Sequence, residues 1–295
     1  MKTRSFFYIV LAGIFWGTSG MFSHYLSMYG FSALQITAMR GFVSLIAVLI
    51  FALIKDRSAF SVKPAELIIY VGIGLSLFFT SSCYFASMRM TSVATAVVLM
   101  YAAPIYVTVF SVLFLKEKLS AVKLVCILGM LVGCCLVSGI VGGLRFDLVG
   151  ILIGIASGIA YASYNITTKI AMRRSCKPLS VLIYSFGTMT LIALCVCKPA
   201  EIVTNTAKAP MLLILLLIAL GVITFILPYL LYTLAMRVIP AGTGSALSTI
   251  EPLTATFLSV FFFGERLDGF CILGIVLILA AVMLLGISEN KKAKA

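Results

Sequence analysis

The chain has 295 residues, of which 62% are hydrophobic and 11% are charged, and its mean hydropathy is +1.20. Because soluble domains are about 45–50% apolar, this composition excludes a water-soluble globule and predicts a protein embedded in a lipid bilayer. The formal net charge of +13 does not indicate a nucleic-acid partner, since the basic residues lie in short segments between apolar runs. The eight cysteines form no C-x-x-C pair, so neither a disulfide framework nor a metal site is indicated.

Ten apolar runs follow one another along the chain, each close to the length of about 20 residues with which a helix crosses a bilayer. They predict an all-α membrane protein with ten transmembrane helices. Lysine and arginine concentrate in alternate connecting segments, which predicts a multi-pass protein of the cytoplasmic membrane with both termini in the cytoplasm. The predicted spans cover residues 6–28, 32–54, 66–87, 92–115, 121–139, 147–170, 178–198, 211–236, 241–263 and 269–287.

The fourth and ninth spans lie in two copies of one sequence. Residues 84–119 and 232–267 match at a constant offset of 148, which pairs Pro104 with Pro252. An internal duplication in so apolar a chain is typical of secondary transporters, whose two repeats move around a central site.

Outside that block the offset becomes 145, which pairs Gly13 with Gly158 and Trp16 with Tyr161. Since each copy has five spans, an odd number, the second copy must enter the membrane from the opposite side. The sequence therefore predicts two inverted five-helix repeats around a central cavity. The predicted units are a first repeat at residues 1–143, a second repeat at residues 144–288 and a basic cytoplasmic tail at residues 289–295.

Short motifs follow one another along the chain, and the proline motif with its charged end occurs in both halves. They are Trp16-Gly17 in the first span, Arg40 in the second, Pro104 with FLKEKL at residues 114–119, and Glu251-Pro252 with FGERL at residues 263–267. On these motifs the whole chain resembles the EamA family of the drug/metabolite transporter superfamily. The resemblance implies a carrier of small metabolites with a cavity lined mainly by spans 1, 3, 4, 6, 8 and 9.

Prolines within three spans predict helix breaks that border the cavity or move during gating. Pro104 and Pro252 lie mid-span, where proline leaves the carbonyl four residues earlier without its helical donor. In hydrocarbon such a carbonyl needs another donor or a wet cavity, so we expect both prolines to border one shared cavity. Pro228 in span 8 has Thr80 as its counterpart, so this third break is not symmetric.

Glu251 is the strongest candidate for chemistry, because a carboxylate near the bilayer midplane is costly unless it is paired, hydrated or protonated. We expect it to bind substrate or a proton, with a structural ion pair as the alternative. Arg40 lies inside span 2 and could hold a substrate carboxylate. Since the resemblance places span 2 at the periphery, a structural role is favoured for Arg40.

Aromatic and amide side chains on the expected cavity spans suit an amphiphilic or aromatic solute. Three other polar residues are given local roles: His24 as a polar residue near the outer end of span 1, Lys169 as a side chain that snorkels to the interface, and Glu117 as a helix cap paired with Lys118. The predicted substrate-binding set comprises Glu251, Trp16, Tyr84, Tyr101, Tyr161, Asn165 and Tyr232.

The sequence thus predicts a secondary transporter, and not an enzyme, that exports a small amino-acid-like or amphiphilic metabolite, with proton coupling left open. The alternatives are a lipid- or isoprenoid-modifying membrane enzyme and a flippase for a lipid-linked sugar. A single histidine and nine scattered acidic residues argue against the enzyme. No cofactor is expected, and the sequence contains no G-x-x-x-x-G-K-[ST] motif that would indicate direct ATP drive.

Overall fold

A computed structural model describes residues 2–117, 119–137, 147–264 and 268–294. The first half of the chain forms seven α-helices. These are α1 (Lys2–Gly17) and α2 (Ser19–Met28) in span 1, α3 (Ala33–Lys55) in span 2, α4 (Pro64–Met90) in span 3, α5 (Val93–Tyr101) and α6 (Ala103–Leu115) in span 4, and α7 (Ala121–Val137) in span 5. A 3₁₀ turn, Arg57–Phe60, connects α3 to α4.

The second half repeats this pattern with one added surface helix. Its helices are α8 (Leu148–Arg173) in span 6, α9 (Pro178–Val196) in span 7, the short α10 (Pro199–Thr206), α11 (Pro210–Gly221) and α12 (Leu227–Ala235) in span 8, α13 (Ala241–Leu247) and α14 (Ile250–Phe263) in span 9, and α15 (Gly269–Lys294) in span 10. A π-helical segment, Val222–Ile226, joins α11 to α12.

In the described ranges, eight helical segments are long and apolar enough to cross a membrane, and two shorter apolar helices accompany them at Ala121–Val137 and Gly269–Leu285. The predicted all-α membrane architecture is confirmed. The boundary predicted between residues 143 and 144 lies outside the described residues, so the division into two units stays a prediction.

Local signals start the helices where the sequence places them. Ser32 and Gln35 form a capping box at the start of α3, with the Ser32 amide donating to Gln35 Oε1 at 2.8 Å and the Gln35 amide donating to Ser32 Oγ at 3.3 Å. The Gly150 amide donates to Asp147 Oδ1 at 2.7 Å and caps α8. Proline at the first position starts α4, α9, α10 and α11, because its missing N–H would have no helical partner there.

Residues with a left-handed backbone conformation occur at matching positions in the two halves. Within the described residues, positive φ occurs at Gly30 (91°), Lys116 (53°), Ser175 (58°) and Gly264 (67°). Gly30 and Ser175 end α2 and α8 at an offset of 145, while Lys116 and Gly264 end α6 and α14 at an offset of 148. Both offsets found in the sequence are therefore reproduced by the backbone conformation at the helix ends.

Glycines allow helices of the two halves to approach closely, as four-residue glycine spacing predicts. A Cβ atom at Gly17 of α1 would lie 2.7 Å from the carbonyl oxygen of Glu251 in α14. A Cβ at Gly133 of α7 would lie 2.9 Å from the carbonyl oxygen of Gly274 in α15. Spans 1 and 9 and spans 5 and 10 thus meet backbone to backbone, which fixes Glu251 against the first span.

Candidate functional site

A cavity of about 370 Å³ lies between the repeats. Its lining comes from α1, α2, α4, α5, α8, α12 and α14, with further contributions from α3, α7 and the π-helical segment. All six spans named by the resemblance contribute. The cavity runs from mid-span toward the end of the bundle where α4 meets α5, since Met88 and Val93 line it there.

Glu251 faces this cavity from the start of α14, where a carboxylate is favoured by the helix dipole. It is half-buried, and its amide donates to the carbonyl of Ser248 at 3.0 Å. The carbonyl freed by Pro252 therefore finds a donor in the tight turn that precedes α14. This turn brings the carboxylate of Glu251 to the broken mid-point of span 9.

Arg40 lines the same cavity, which corrects the expectation that span 2 keeps it at the periphery. Its Nη2 donates to Ser81 Oγ of α4 at 2.6 Å, and its Cζ lies 5.0 Å from the ring centroid of Phe225. Its Nε has no hydrogen-bond partner among the described residues. The guanidinium is therefore held in place by one hydrogen bond and one cation–π contact, with donor capacity left for a ligand.

Phe225 reaches Arg40 because span 8 is not a regular α-helix. Pro228 cannot donate a backbone hydrogen bond, and the turn before it widens into the π-helical segment. Such bulges rotate the side chains around them, and here Thr224 and Tyr229 point into the cavity. Pro228 itself is buried and does not appear among the described lining residues.

The two repeat-related breaks in spans 4 and 9 both form. Helix α5 ends at Tyr101 and α6 begins at Ala103, while α13 ends at Leu247 and α14 begins at Ile250. Pro252 lines the cavity. The expectation for its counterpart is corrected: Pro104 is buried inside the bundle, and Tyr101, one turn earlier, supplies the cavity surface in its place.

Four of the predicted aromatic residues line the cavity: Trp16, Tyr84, Tyr101 and Tyr161. The ring of Trp16 meets that of Tyr229 edge-on at 5.1 Å. Its Nε1 has no hydrogen-bond partner among the described residues. The cavity wall is therefore aromatic, with an indole N–H still able to donate.

Asn165 and Tyr232, also predicted to bind substrate, lie beneath this wall. Both are fully buried. The Tyr232 hydroxyl donates to Asn165 Oδ1, and Asn165 Nδ2 donates to the carbonyl of Tyr161 at 2.6 Å. Asn165 thus holds the backbone of Tyr161, and the Tyr232 ring packs on Trp16 with centroids 5.4 Å apart. Because the two residues satisfy one another, the contact expected with substrate is not available in this conformation.

Polar contacts close the opposite end of the bundle. The sequence had predicted other partners for the residues that make them. Lys169 is only 5% exposed and does not snorkel: its Nζ donates to the carbonyls of Met236 at 2.8 Å and Ile239 at 2.6 Å. Glu117 pairs with Lys123 at 3.8 Å and accepts from the Ala241 amide at 3.0 Å. Lys118, its predicted partner, lies outside the described residues.

Sequence reasoning missed Ser81, Thr224 and Tyr229 as cavity residues, and it missed Phe225 as the buried ring that contacts Arg40. A usable signal existed for Tyr229, which follows Pro228 directly in an aromatic-rich span. No comparable signal marks Ser81, since hydroxyl side chains in membrane helices usually bond to their own backbone.

The comparisons with known proteins agree with this geometry. The model of the EamA-like transporter family matches residues 3–139 and 148–287. The chain is 30% identical over 276 residues, 94% of each chain, to a protein of Archaeoglobus fulgidus named "Uncharacterized transporter". It is 25% identical to "Uncharacterized inner membrane transporter YicL" of Salmonella typhimurium, over 97% of this chain and 96% of that one.

A crystal structure shares the fold, with a TM-score of 0.80 at 19% identity over 99% of both chains. The family model covers both halves separately and leaves out only the joint between them and the ends of the chain. The chain therefore belongs to the EamA-like transporter family and is a multi-pass membrane transporter.

Proposed function

We propose that this chain exports a small amino-acid-like or amphiphilic metabolite across the cytoplasmic membrane by alternating access. One observation carries the proposal: Arg40 and Glu251 line the same cavity, and no ion pair within the described residues involves either of them. Two opposite charges that face a shared cavity without pairing are available to a ligand.

The chemistry of the cavity fits a zwitterion. The guanidinium of Arg40 can receive a carboxylate in a charge-assisted hydrogen bond, and the carboxylate of Glu251 can receive an ammonium group or a proton. The rings of Trp16 and Tyr84 offer an apolar surface to the rest of the solute. A volume of about 370 Å³ falls in the range of about 300–1,000 Å³ typical of small-molecule sites.

Transport requires the cavity to reach each side of the membrane in turn. Here it extends toward one end only, while Lys169 and Glu117 tie helices together at the other. The halves at residues 1–143 and 144–288 are the units that rock in this proposal. With both termini in the cytoplasm, the cavity faces outward, and protonation of Glu251 on that side provides a route for proton-coupled exchange.

The test is counterflow of labelled amino acids in proteoliposomes that hold wild-type protein, Glu251→Gln or Glu201→Gln. Gln keeps the size and hydrogen bonding of Glu and removes its charge. Glu201 is the matched control, since its side chain is 52% exposed on α10, away from the cavity. We expect Glu251→Gln to lose counterflow at near-normal membrane abundance and Glu201→Gln to keep it.

A ligand series separates the two charges. A zwitterionic amino acid, its decarboxylated amine and its deaminated acid are compared as inhibitors of counterflow. Because a hydrogen bond to a charged group contributes about 1.5–3 kcal/mol, loss of either ligand charge should weaken inhibition by about tenfold or more. Equal inhibition by all three, or normal counterflow by Glu251→Gln, would contradict the proposal.

A further inference from the structure

Lys169 ties two helical segments together through hydrogen bonds to the carbonyls of Met236 and Ile239. We call this set of contacts the latch. The Lys169 ammonium group, on α8 of span 6, donates to two carbonyls in the turn that joins α12 to α13. Those carbonyls belong to Met236 and Ile239, which are both buried. The latch therefore fastens span 6 to the connection between spans 8 and 9 at the end of the bundle that the cavity does not reach.

The repeat assigns a counterpart to every part of this latch. At the offset of 145, Lys169 corresponds to His24; at the offset of 148, Met236 corresponds to Met88 and Ile239 to Thr91. The three correspondences lie in the first repeat at the opposite end of the bundle, which is the end that the cavity reaches.

Backbone hydrogen bonds and helix starts near these residues support the offsets of 145 and 148. The Phe31 amide donates to the carbonyl of Leu26 at 3.3 Å, and the Cys176 amide donates to that of Ala171 at 3.1 Å, so α2 and α8 end in the same way 145 residues apart. Likewise, α5 begins two residues after Thr91 and α13 begins two residues after Ile239. Neither correspondence can be shifted by one residue without losing these matches.

In this conformation the cavity reaches the end of the bundle at which the counterpart residues lie. The side chain of His24 is exposed on α2, and Met88 lines the cavity. Inverted repeats rock against each other when a transporter changes the side to which it opens, so the contacts around Lys169 indicate which contacts the matching residues of the first repeat can form in the other state. An imidazole N–H is a competent donor to backbone carbonyls.

We infer that His24 is the outer gate residue: in the state that opens to the opposite side, it closes the cavity by donating to the carbonyl of Met88 or Thr91, as Lys169 does with Met236 and Ile239 here. This inference rests on the alternating access of the proposed function. It assigns to the only histidine of the chain a positioning role that acts through helix α2 and does not touch the substrate.

The test uses hydrogen–deuterium exchange of the full-length protein in lipid nanodiscs. Exchange is followed in two backbone segments, residues 89–93 at the outer end and residues 237–241 at the inner end. Lys169→Met removes the inner donor and keeps the length of the side chain. We expect it to raise exchange at 237–241 and to lower exchange at 89–93, because opening one end closes the other.

Adding His24→Ala to Lys169→Met should restore exchange at residues 89–93 by about two- to tenfold, the equilibrium factor that corresponds to one hydrogen bond. Tyr25→Phe in the same background is the control, since Tyr25 is the exposed neighbour of His24 on α2. It should leave the exchange pattern of Lys169→Met unchanged.

The outcomes distinguish the inference about His24 from the proposed alternating access. If Lys169→Met shifts both segments and His24→Ala has no further effect, the inference about His24 is wrong while alternating access stands. If the inner segment opens with no change at the outer one, the ends are uncoupled and alternating access itself fails. Unchanged exchange at 237–241 overturns the latch. Should Lys169→Met not fold, Glu117→Gln, which weakens the contact with Ala241, serves as the inner perturbation with the same expected results.

Discussion

We expect two glycines of the first span to respond in opposite ways when each is replaced by alanine. Gly17 and Gly20 both line the cavity, yet a Cβ at Gly17 would lie 2.6 Å from Cβ of Thr254 and 2.7 Å from the carbonyl oxygen of Glu251. A Cβ at Gly20 would meet no atom within 4 Å. We therefore expect Gly17→Ala to destabilise the protein and Gly20→Ala to be tolerated.

The magnitude follows from the contact at Gly17. The carbonyl of Glu251 belongs to the backbone of α14 and cannot rotate away, so α1 and α14 must separate. Overpacking of this kind costs about 1–3 kcal/mol. Alanine also favours helix over glycine by about 1 kcal/mol, a gain that Gly20→Ala shows without any clash.

Thermal unfolding of the two purified variants in one detergent measures the difference. At about 2–4 °C per kcal/mol for a large domain, a cost of about 1–3 kcal/mol should make Gly17→Ala melt roughly 2–12 °C below Gly20→Ala. Because Gly17 supports the segment that carries Glu251, counterflow should fall further in Gly17→Ala than in Gly20→Ala. Equal melting temperatures for the two variants would show that spans 1 and 9 do not pack as described.

Two other predictions concern the buried polar pair and the topology. Tyr232→Phe removes the donor to Asn165 Oδ1 and leaves a buried acceptor unsatisfied, so unfolding in denaturant should show a loss of about 1–3 kcal/mol; a loss below 0.5 kcal/mol would mean that another donor replaces the hydroxyl. Reporter domains inserted after Arg174 and after Ala207 should report the cytoplasmic and the outer side, respectively, and identical reports from both would contradict the predicted orientation.

The sequence predicted the features that depend only on the order of residues within a span or within a repeated block. Ten apolar runs and a repeated block predicted the helical architecture, and the prolines of that block predicted the paired breaks. Glu251 could be singled out because a carboxylate inside a span is costly wherever the neighbouring helices lie. The aromatic residues of spans 1, 3, 4 and 6 could be placed because the resemblance named their helices.

Two of the errors concern which helix lies next to which. Arg40 depends on a π-helical segment in span 8, roughly 185 residues away in the chain, and helical periodicity does not reveal such a partner. Lys169 was expected to reach water because lysines near helix ends usually do so. The turn that carries the carbonyl groups of Met236 and Ile239 covers that route, and only the tertiary structure shows it.

The composition of α13 has a consequence for how the protein is made. All seven of its residues, Ala241–Leu247, are buried, and they are small or polar except for the last. Because of this segment, span 9 is the least apolar of the eight described segments that could cross a membrane, so it gains the least free energy of them from leaving the translocon alone. Span 9 is therefore the described span that benefits most from partner helices already in the bilayer. Among the helices that line the cavity, the one that carries Glu251 is synthesised last. Its carboxylate thus enters the membrane when the other helices of the cavity are already in place.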